Sequence, residues 1–187
     1  MVTAPSTLEL ALEATDRLRA TVASAEEGQL AEFVAAVLAA NRVFVSGAGR
    51  SLLALRFFAM RLMQIDVPAF IVGDVTTPSI NTGDLLVAAT RSGATGSLVA
   101  VARKANQHGA SVAVVTAADS SSLQLPADHV LQLSPVPPPS ELQDVVPGAG
   151  QAFEQSVVVM LDAVISSLLV RSGKTVERIA QNHANLE

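Results

Sequence analysis

The N-terminal fifth of the chain has the hydrophobic pattern of two α-helices. In the first, residues at helical spacing are Leu8, Leu12, Thr15 and Leu18. A polar break follows at residues 26–28. In the second, the pattern repeats at Leu30, Phe33, Val34, Val37 and Leu38. The sequence therefore predicts a pair of helices within residues 1–40.

From residue 41 onward, short apolar runs alternate with helical patterns. The predicted strands cover 42–46, 69–72, 84–90, 111–116 and 128–133. The predicted helices cover 52–64, 97–108, 151–170 and 175–185. The apolar run at 85–89 is typical of a strand covered on both faces. This alternation predicts an α/β fold, a three-layer α/β/α sandwich around a five-stranded parallel sheet, with extra helices at both ends.

The length of 187 residues suits one domain with a sizeable core. We expect the whole chain, 1–187, to form it. Residues 1–40 supply the N-terminal helices and 41–133 the α/β core. Residues 134–150 form a loop, because three consecutive prolines and a Pro-Gly pair exclude regular helix or sheet. Residues 151–187 supply the C-terminal helices.

Composition narrows the classes of partner. The net charge of −5, and aromatic residues at 3% with no Trp or Tyr, argue against nucleic acid. The absence of cysteine excludes disulfides and thiolate metal sites. Charged residues make up only 16%, against the usual quarter or so. This favours a homo-oligomer that buries part of its surface, although an alanine- and valine-rich composition explains the value as well.

We predict a cytoplasmic protein with no membrane partner. Residues 1–6 lack a basic segment followed by an apolar one, so no signal peptide is predicted. The most apolar stretch, Val157 to Val170, is interrupted by Asp162 and is shorter than the ~20 residues of a membrane span. It predicts a buried helix instead.

A glycine turn follows the first predicted strand, in the sequence VFVSGAGRS from Val43 to Ser51. Gly47 and Gly49 match the start of a dinucleotide fingerprint, but Leu52 replaces its third glycine. The Gly-Lys-Ser/Thr of a P-loop is also missing. Two interpretations remain: a turn without a ligand, and a loop whose amides and serine hydroxyl bind a sugar phosphate.

A second turn, TRSGATGS at residues 90–97, lies where another strand becomes a helix. It carries four hydroxyl residues, two glycines and Arg91. Hydroxyls and free backbone amides suit the oxygens of a phosphate. An N-capping turn is the alternative, but one hydroxyl would suffice for it. Both turns follow strands, so both are expected at the carboxyl edge of the sheet, where ligands bind in this class of fold.

Together the two turns resemble the sugar isomerase (SIS) domain, a flavodoxin-like fold that binds phosphosugars. The resemblance implies a substrate-binding set: Ser46, Gly47, Gly49, Arg50, Ser51, Thr90, Arg91, Ser92, Gly93, Ala94 and Thr95. Thr90 keeps the hydroxyl of the serine usual there. Ala94 departs from the family pattern, which has an acidic residue at that position.

Further segments resemble one branch of this family, the 6-phospho-3-hexuloisomerases. They are AMRLM at 59–63, VGD at 72–74, Phe153-Glu154, LDA at 161–163 and the terminal HANLE at 183–187. The resemblance implies conversion of the phosphorylated ketose D-arabino-3-hexulose 6-phosphate to fructose 6-phosphate, in the ribulose monophosphate pathway of formaldehyde fixation. It also implies a homo-oligomer, with a tetramer expected, and no metal or other cofactor.

The resemblance assigns Glu154 as the base and His183 as the proton donor, the latter reaching a neighbouring subunit. From the residues alone, Glu154 could also be a charge in the first turn of a helix, and His183 a polar residue on a terminal helix. His108 and His129 are expected to be structural, and Arg61 to form an ion pair on a helix surface.

Two other functions remain open. One is a different phosphosugar aldose–ketose isomerase, acting on arabinose 5-phosphate or sedoheptulose 7-phosphate. The other is a phosphosugar-binding module without catalysis.

Overall fold

The computed structural model describes residues 5–144 and 146–185. Two helices come first, α1 (Thr7–Val22) and α2 (Glu27–Ala39). A capping box starts α1: the Ser6 hydroxyl accepts from the Glu9 amide, and the Ser6 amide donates to the Glu9 carboxylate. Both predicted N-terminal helices are therefore confirmed.

Five parallel strands form the sheet, as predicted. They are β1 (Val43–Gly47), β2 (Ala69–Ile71), β3 (Leu85–Thr90), β4 (Ser111–Thr116) and β5 (His129–Gln132). The spatial order is β2-β1-β3-β4-β5, which is the flavodoxin-like order. In this order β1 pairs directly with β3, and Gly47 lies opposite Ala89. The two predicted ligand turns therefore leave the sheet side by side.

Four more helices complete the sandwich. They are α3 (Arg50–Gln64), α4 (Gly96–Gln107), α5 (Ala149–Ser172) and α6 (Val176–Gln181). Alternate strand residues face opposite layers: Val43, Val45 and Val87 pack towards α2, α3 and α5, whereas Phe44 and Leu86 pack towards α4. The three-layer α/β/α prediction is confirmed.

Helix α5 lies in the core and runs parallel to α3. Three contacts in the same order along both helices establish the direction: Arg50 with Glu154, Arg61 with Asp162, and the Ile65 carbonyl with Lys174 just beyond α5. By length and composition alone α5 is apolar enough to cross a bilayer. Half of its most apolar window is buried in the protein, which confirms the predicted buried helix.

The first half of the apolar stripe of α1 does not face the core of its own chain. Leu8 is 68% exposed and Leu12 is 58% exposed, whereas Arg17 and Thr21 are buried on the side that packs on α5. Helical periodicity identifies an apolar face but not the surface that covers it. Within the described chain, these two leucines are left uncovered.

The proline-rich segment forms hydrogen bonds with α1 and with the turn that follows it. The Ser134 amide donates to the Ser24 hydroxyl at 2.8 Å, and the Val136 amide donates to the Thr21 hydroxyl at 3.2 Å. A short 3₁₀ turn, Ser140–Leu142, follows the prolines, and α5 begins at Ala149. The segment thus has fixed side-chain partners and leads directly into α5.

The C-terminal helix α6 is tied to the far end of α3 through Asp66. Its carboxylate accepts hydrogen bonds from Arg178 Nε at 2.6 Å and Nη2 at 2.7 Å, and from Asn182 Nδ2 at 2.9 Å. These bonds lower the pKa of Asp66 to about 2, with the Arg178 bonds contributing most. Asp66 has a left-handed backbone, φ 59°.

We predict that Asp66→Asn releases α6 while leaving the rest of the fold intact. Asparagine also tolerates the left-handed conformation, so the change removes the carboxylate charge without backbone strain. Limited trypsin digestion at neutral pH should cut faster after Lys174 and Arg178 in the variant. Asp162→Asn, which alters a looser pair with Arg61 at 3.9 Å, should digest like the wild type.

The same contact predicts the acid response of the wild type. Because the pKa of Asp66 is lower in the folded state than in the unfolded chain, its stabilising effect is present above about pH 4 and is lost as the pH falls towards 2. NMR signals of the α6 amides should shift to unstructured positions over this range. Release of α6 at higher pH would contradict this assignment.

Candidate functional site

The first turn is shaped by a close approach between β1 and α3. A Cβ added to Gly47 would lie 2.8 Å from the backbone nitrogen of Leu52. Gly49 has φ 55°, a conformation that favours glycine, and serves as the N-cap of α3. The helix thus packs closely on the strand through Gly47, although position 52 is not glycine.

The amino end of α3 has no side-chain cap in the described part of the chain. Its first two amides, of Arg50 and Ser51, precede the first hydrogen bond of the helix, which runs from the Leu52 amide to the Gly49 carbonyl. Free amides at a helix N-terminus attract anions. Ser46 and Ser51 flank the turn and are both buried. The predicted residues of the first turn therefore lie together at the carboxyl edge of the sheet.

The second turn presents hydroxyls rather than a helix cap. Thr95 is the N-cap of α4, but its side chain makes no capping hydrogen bond. Its hydroxyl instead lies 2.9 Å from the hydroxyl of Thr90, and Ser92 Oγ accepts weakly from the Ala94 amide at 3.4 Å. The N-capping interpretation is not supported by these contacts.

Gly93 holds the second turn against the segment that follows β4. Its backbone has φ 67°, and an added Cβ would lie 2.6 Å from the Cβ of Ala118. Its carbonyl accepts from the Gln124 amide at 2.8 Å. A glycine is therefore required here for backbone conformation and for space.

The start of α5 approaches both turns. An added Cβ on Gly150 would lie 3.9 Å from Arg91 Nε, so this arginine of the second turn lies beside the first turn of α5. Glu154 pairs with Arg50, the first residue of α3. The Glu154 side chain is 22% exposed and that of Arg50 is 63% exposed.

Glu154 lies in the second turn of α5, not in the first. The helix begins at Ala149, since Gly148 is its N-cap and Gly150 already lies in its first turn. Helix-dipole stabilisation falls off within the first turn, so a helix-terminal charge no longer accounts for Glu154. Its position is accounted for by its contact with Arg50.

His183 lies away from this group. The neighbouring Asn182 donates to the Gln64 carbonyl at 3.0 Å, which places His183 near the carboxyl end of α3. The 15 residues of α3 span about 20 Å, and Arg50 lies at the other end. The exposed His183 ring contacts the Ala184 carbonyl. One chain therefore brings Glu154 to both turns but leaves His183 at the opposite edge of the sheet. Leu186 and Glu187, which end the HANLE segment, lie outside the described residues.

Of the remaining candidate side chains, Arg61 has a structural contact, and the two other histidines lie at the ends of secondary-structure elements. Arg61 forms the ion pair expected of it, with Asp162, and donates to Gln64. His108 is the C-cap of α4, and His129 is the half-buried first residue of β5. Across residues 5–144 and 146–185 there is no group of three His, Asp or Glu side chains suited to a metal.

Arg17 of α1 is not among the residues predicted from the sequence to lie near the site. It is 4% exposed, lies 2.8 Å from Glu13, and donates to Gln151 at 3.4 Å, one turn before Glu154. Arg17 therefore helps to position the start of α5. The available signal was a Glu and an Arg four residues apart, a pair that usually lies on a solvated surface.

Comparison with known proteins identifies close relatives. The SIS domain model matches residues 37–170. The 3-hexulose-6-phosphate isomerase of Mycobacterium gastri is 37% identical over 92% of this chain and 87% of its own. The enzyme of the same name from Bacillus subtilis is 35% identical over 90% of both chains. A solved Methanococcus jannaschii structure, from which 3-hexulose-6-phosphate isomerase function was inferred, has a TM-score of 0.77 at 27% identity, over 95% of this chain and 97% of its own.

We predict that Gly47→Ala destabilises the protein by about 1–3 kcal/mol, because backbone atoms on α3 must move to admit the methyl group. Thermal or urea unfolding measures the effect. Gly28→Ala in α2 is the matched control, since an added Cβ there meets nothing within 4 Å. The control should be neutral or stabilising by up to about 1 kcal/mol. Equal stability of the two variants would contradict the close approach.

Proposed function

The chain belongs to the SIS domain family, and on that premise we propose that it isomerises 3-hexulose 6-phosphate to fructose 6-phosphate. The observation that carries this proposal is the place of Glu154. A carboxylate, paired with Arg50, lies beside two turns rich in hydroxyls and free amides. Relatives that carry the corresponding enzyme name match over about nine-tenths of the chain.

The second turn is the proposed phosphate grip. Ser92 and Thr95 supply hydroxyls, the start of α4 supplies amides, and Arg91 adds a positive charge. The same turn is held in place by Gly93. A phosphate bound there would fix one end of the substrate and leave the carbon chain to extend towards the first turn and Glu154.

Glu154 is the proposed base. The carboxylate removes the proton from C2 of the substrate, the C–H electron pair forms the C2–C3 double bond, and the C3 carbonyl oxygen takes up a proton from His183 of a second copy. The cis-enediol then collapses: the C2 hydroxyl returns a proton to that His183, the carbonyl forms at C2, and C3 receives the proton held by Glu154. One base positioned near both carbons can serve both transfers.

Arg50 has two proposed roles. In the structure it neutralises the charge of Glu154. With 63% of its side chain exposed, it has room to turn towards a bound substrate and to donate to the oxygen that becomes negative in the enediolate.

The proposed assembly is a homo-oligomer in which a second copy supplies His183. Within one chain about 20 Å of helix separates His183 from Arg50. In addition, Leu53, Phe57 and Met60 form an exposed apolar stripe on α3 that begins one turn from the site. A second copy would cover this stripe. We further propose that the oligomer is a tetramer, that it is cytoplasmic, and that it works in the ribulose monophosphate pathway.

We predict that Glu154→Gln lowers kcat by about 10²- to 10⁴-fold, since the amide cannot accept the proton. Formation of fructose 6-phosphate from 3-hexulose 6-phosphate is the assay, with arabinose 5-phosphate as a comparison substrate. Asp162→Asn, two turns further along α5, is the control and should keep wild-type activity. Full activity of Glu154→Gln would exclude Glu154 as the base, whereas an inactive wild type would exclude the reaction.

Mixed oligomers test the origin of His183. If each site takes Glu154 from one chain and His183 from another, co-refolded Glu154→Gln and His183→Asn chains should regain activity. Random mixing gives about a quarter of the sites both wild-type residues. Each variant alone should stay impaired. Failure of the mixture to regain activity, with both variants assembled, would refute the shared site.

A further inference from the structure

A cavity lies on the opposite face of the sheet from Glu154. Its volume is about 480 Å³, within the range of ligand-binding pockets. Phe44 of β1 and Leu86 of β3 form its floor, and both point towards α4. Val72 and Ile80 add apolar surface at the side. The proposed isomerase mechanism uses none of these residues.

Residues 77–80 form one wall of the cavity, and hydrogen bonds to neighbouring segments fix its position. The Thr77 hydroxyl donates to the Ile71 carbonyl, and Arg42 Nη2 donates to the Ser79 carbonyl at 3.0 Å. Nearby, the Asn81 amide donates to Asp84 at 2.8 Å. These contacts anchor the loop to β2 and to the residues that immediately precede β1 and β3.

The other wall is the carboxyl half of α4, which carries Lys104 and His108 one turn apart. Within residues 5–144 and 146–185, neither side chain forms an ion pair. The nearby carboxylate of Asp84 is already paired with Arg42. In a chain of net charge −5, the rim of this cavity therefore presents unpaired N–H donors beside an apolar floor.

We propose that this cavity binds a small organic anion with an apolar, ring-sized body. The anionic group lies against Lys104 and His108, where charge-assisted hydrogen bonds are available. The apolar body lies against the half-buried Val72, Ile80 and Val101, above the buried Phe44 and Leu86. An apolar body suits the floor better than a sugar does, because Phe44 and Leu86 offer sugar hydroxyls no partner and the Thr77 hydroxyl on the wall already donates to the Ile71 carbonyl. The site is thus different in both place and ligand class from the isomerase site.

Two dyes with the same kind of aromatic body test the proposal on the full-length oligomer. Anilinonaphthalene sulfonate carries an anionic group, and phenylnaphthylamine does not. The sulfonate should bind saturably, with about one dye per chain, and about tenfold more tightly than the neutral dye. Fluorescence titration measures both affinities. Non-saturable binding, or equal affinity for the two dyes, would overturn the proposal.

Variants on α4 locate the binding. Lys104→Met should weaken the sulfonate about five- to tenfold and leave the neutral dye unchanged. Arg103→Met removes the same charge from a position outside the cavity and should change neither affinity. Val101→Phe, which fills a half-buried lining position, should weaken both dyes. Unchanged isomerase activity and thermal midpoint show that the variants are folded. Equal effects of Lys104→Met and Arg103→Met, or none from Val101→Phe, would refute the assignment.

Discussion

The direct parallel pairing of β1 with β3 is the constraint on which the candidate site depends. It brings two strand ends that are about 40 residues apart in sequence into adjacent positions at one edge of the sheet. From there α3 packs on one face and α4 on the other. The backbone therefore diverges above this strand pair, at the position where open α/β sheets bind their ligands. The turn glycines, the first amides of α3 and Glu154 all lie at this edge.

Much of the layered architecture was predictable because it follows from local periodicity. The five strands appear within about two residues of their predicted ends, since each is a short apolar run with a turn on either side. The strand order does not follow from the pattern of apolar residues, because strand pairing depends on contacts between distant segments. The predicted starts of α3 and α5 were two residues late, because Gly49 and Gly148 act as N-caps, and hydrophobic periodicity does not identify N-caps.

The candidate site was predictable as a set of residues, but not as a geometry. The first glycine turn identified Arg50 and the Phe-Glu motif identified Glu154, and only the parallel packing of α3 on α5 brings them into contact. His183 was identified from a terminal motif, and its distance from the turns depends on the Asp66 contacts. Arg17 was missed because a charged residue inside an amphipathic helix gives no sign in the sequence that it is buried.

The length of α3 has a mechanical consequence. At one end the helix carries Arg50, which contacts Glu154 of its own chain, and at the other end it anchors the segment that bears His183. In the proposed assembly, α3 would thus act as one rigid rod that sets the geometry of two reaction centres, that of its own chain and that of a neighbouring chain. A shift of this rod along its axis would move both groups together. Neighbouring centres would then respond as mechanically coupled units rather than as independent ones.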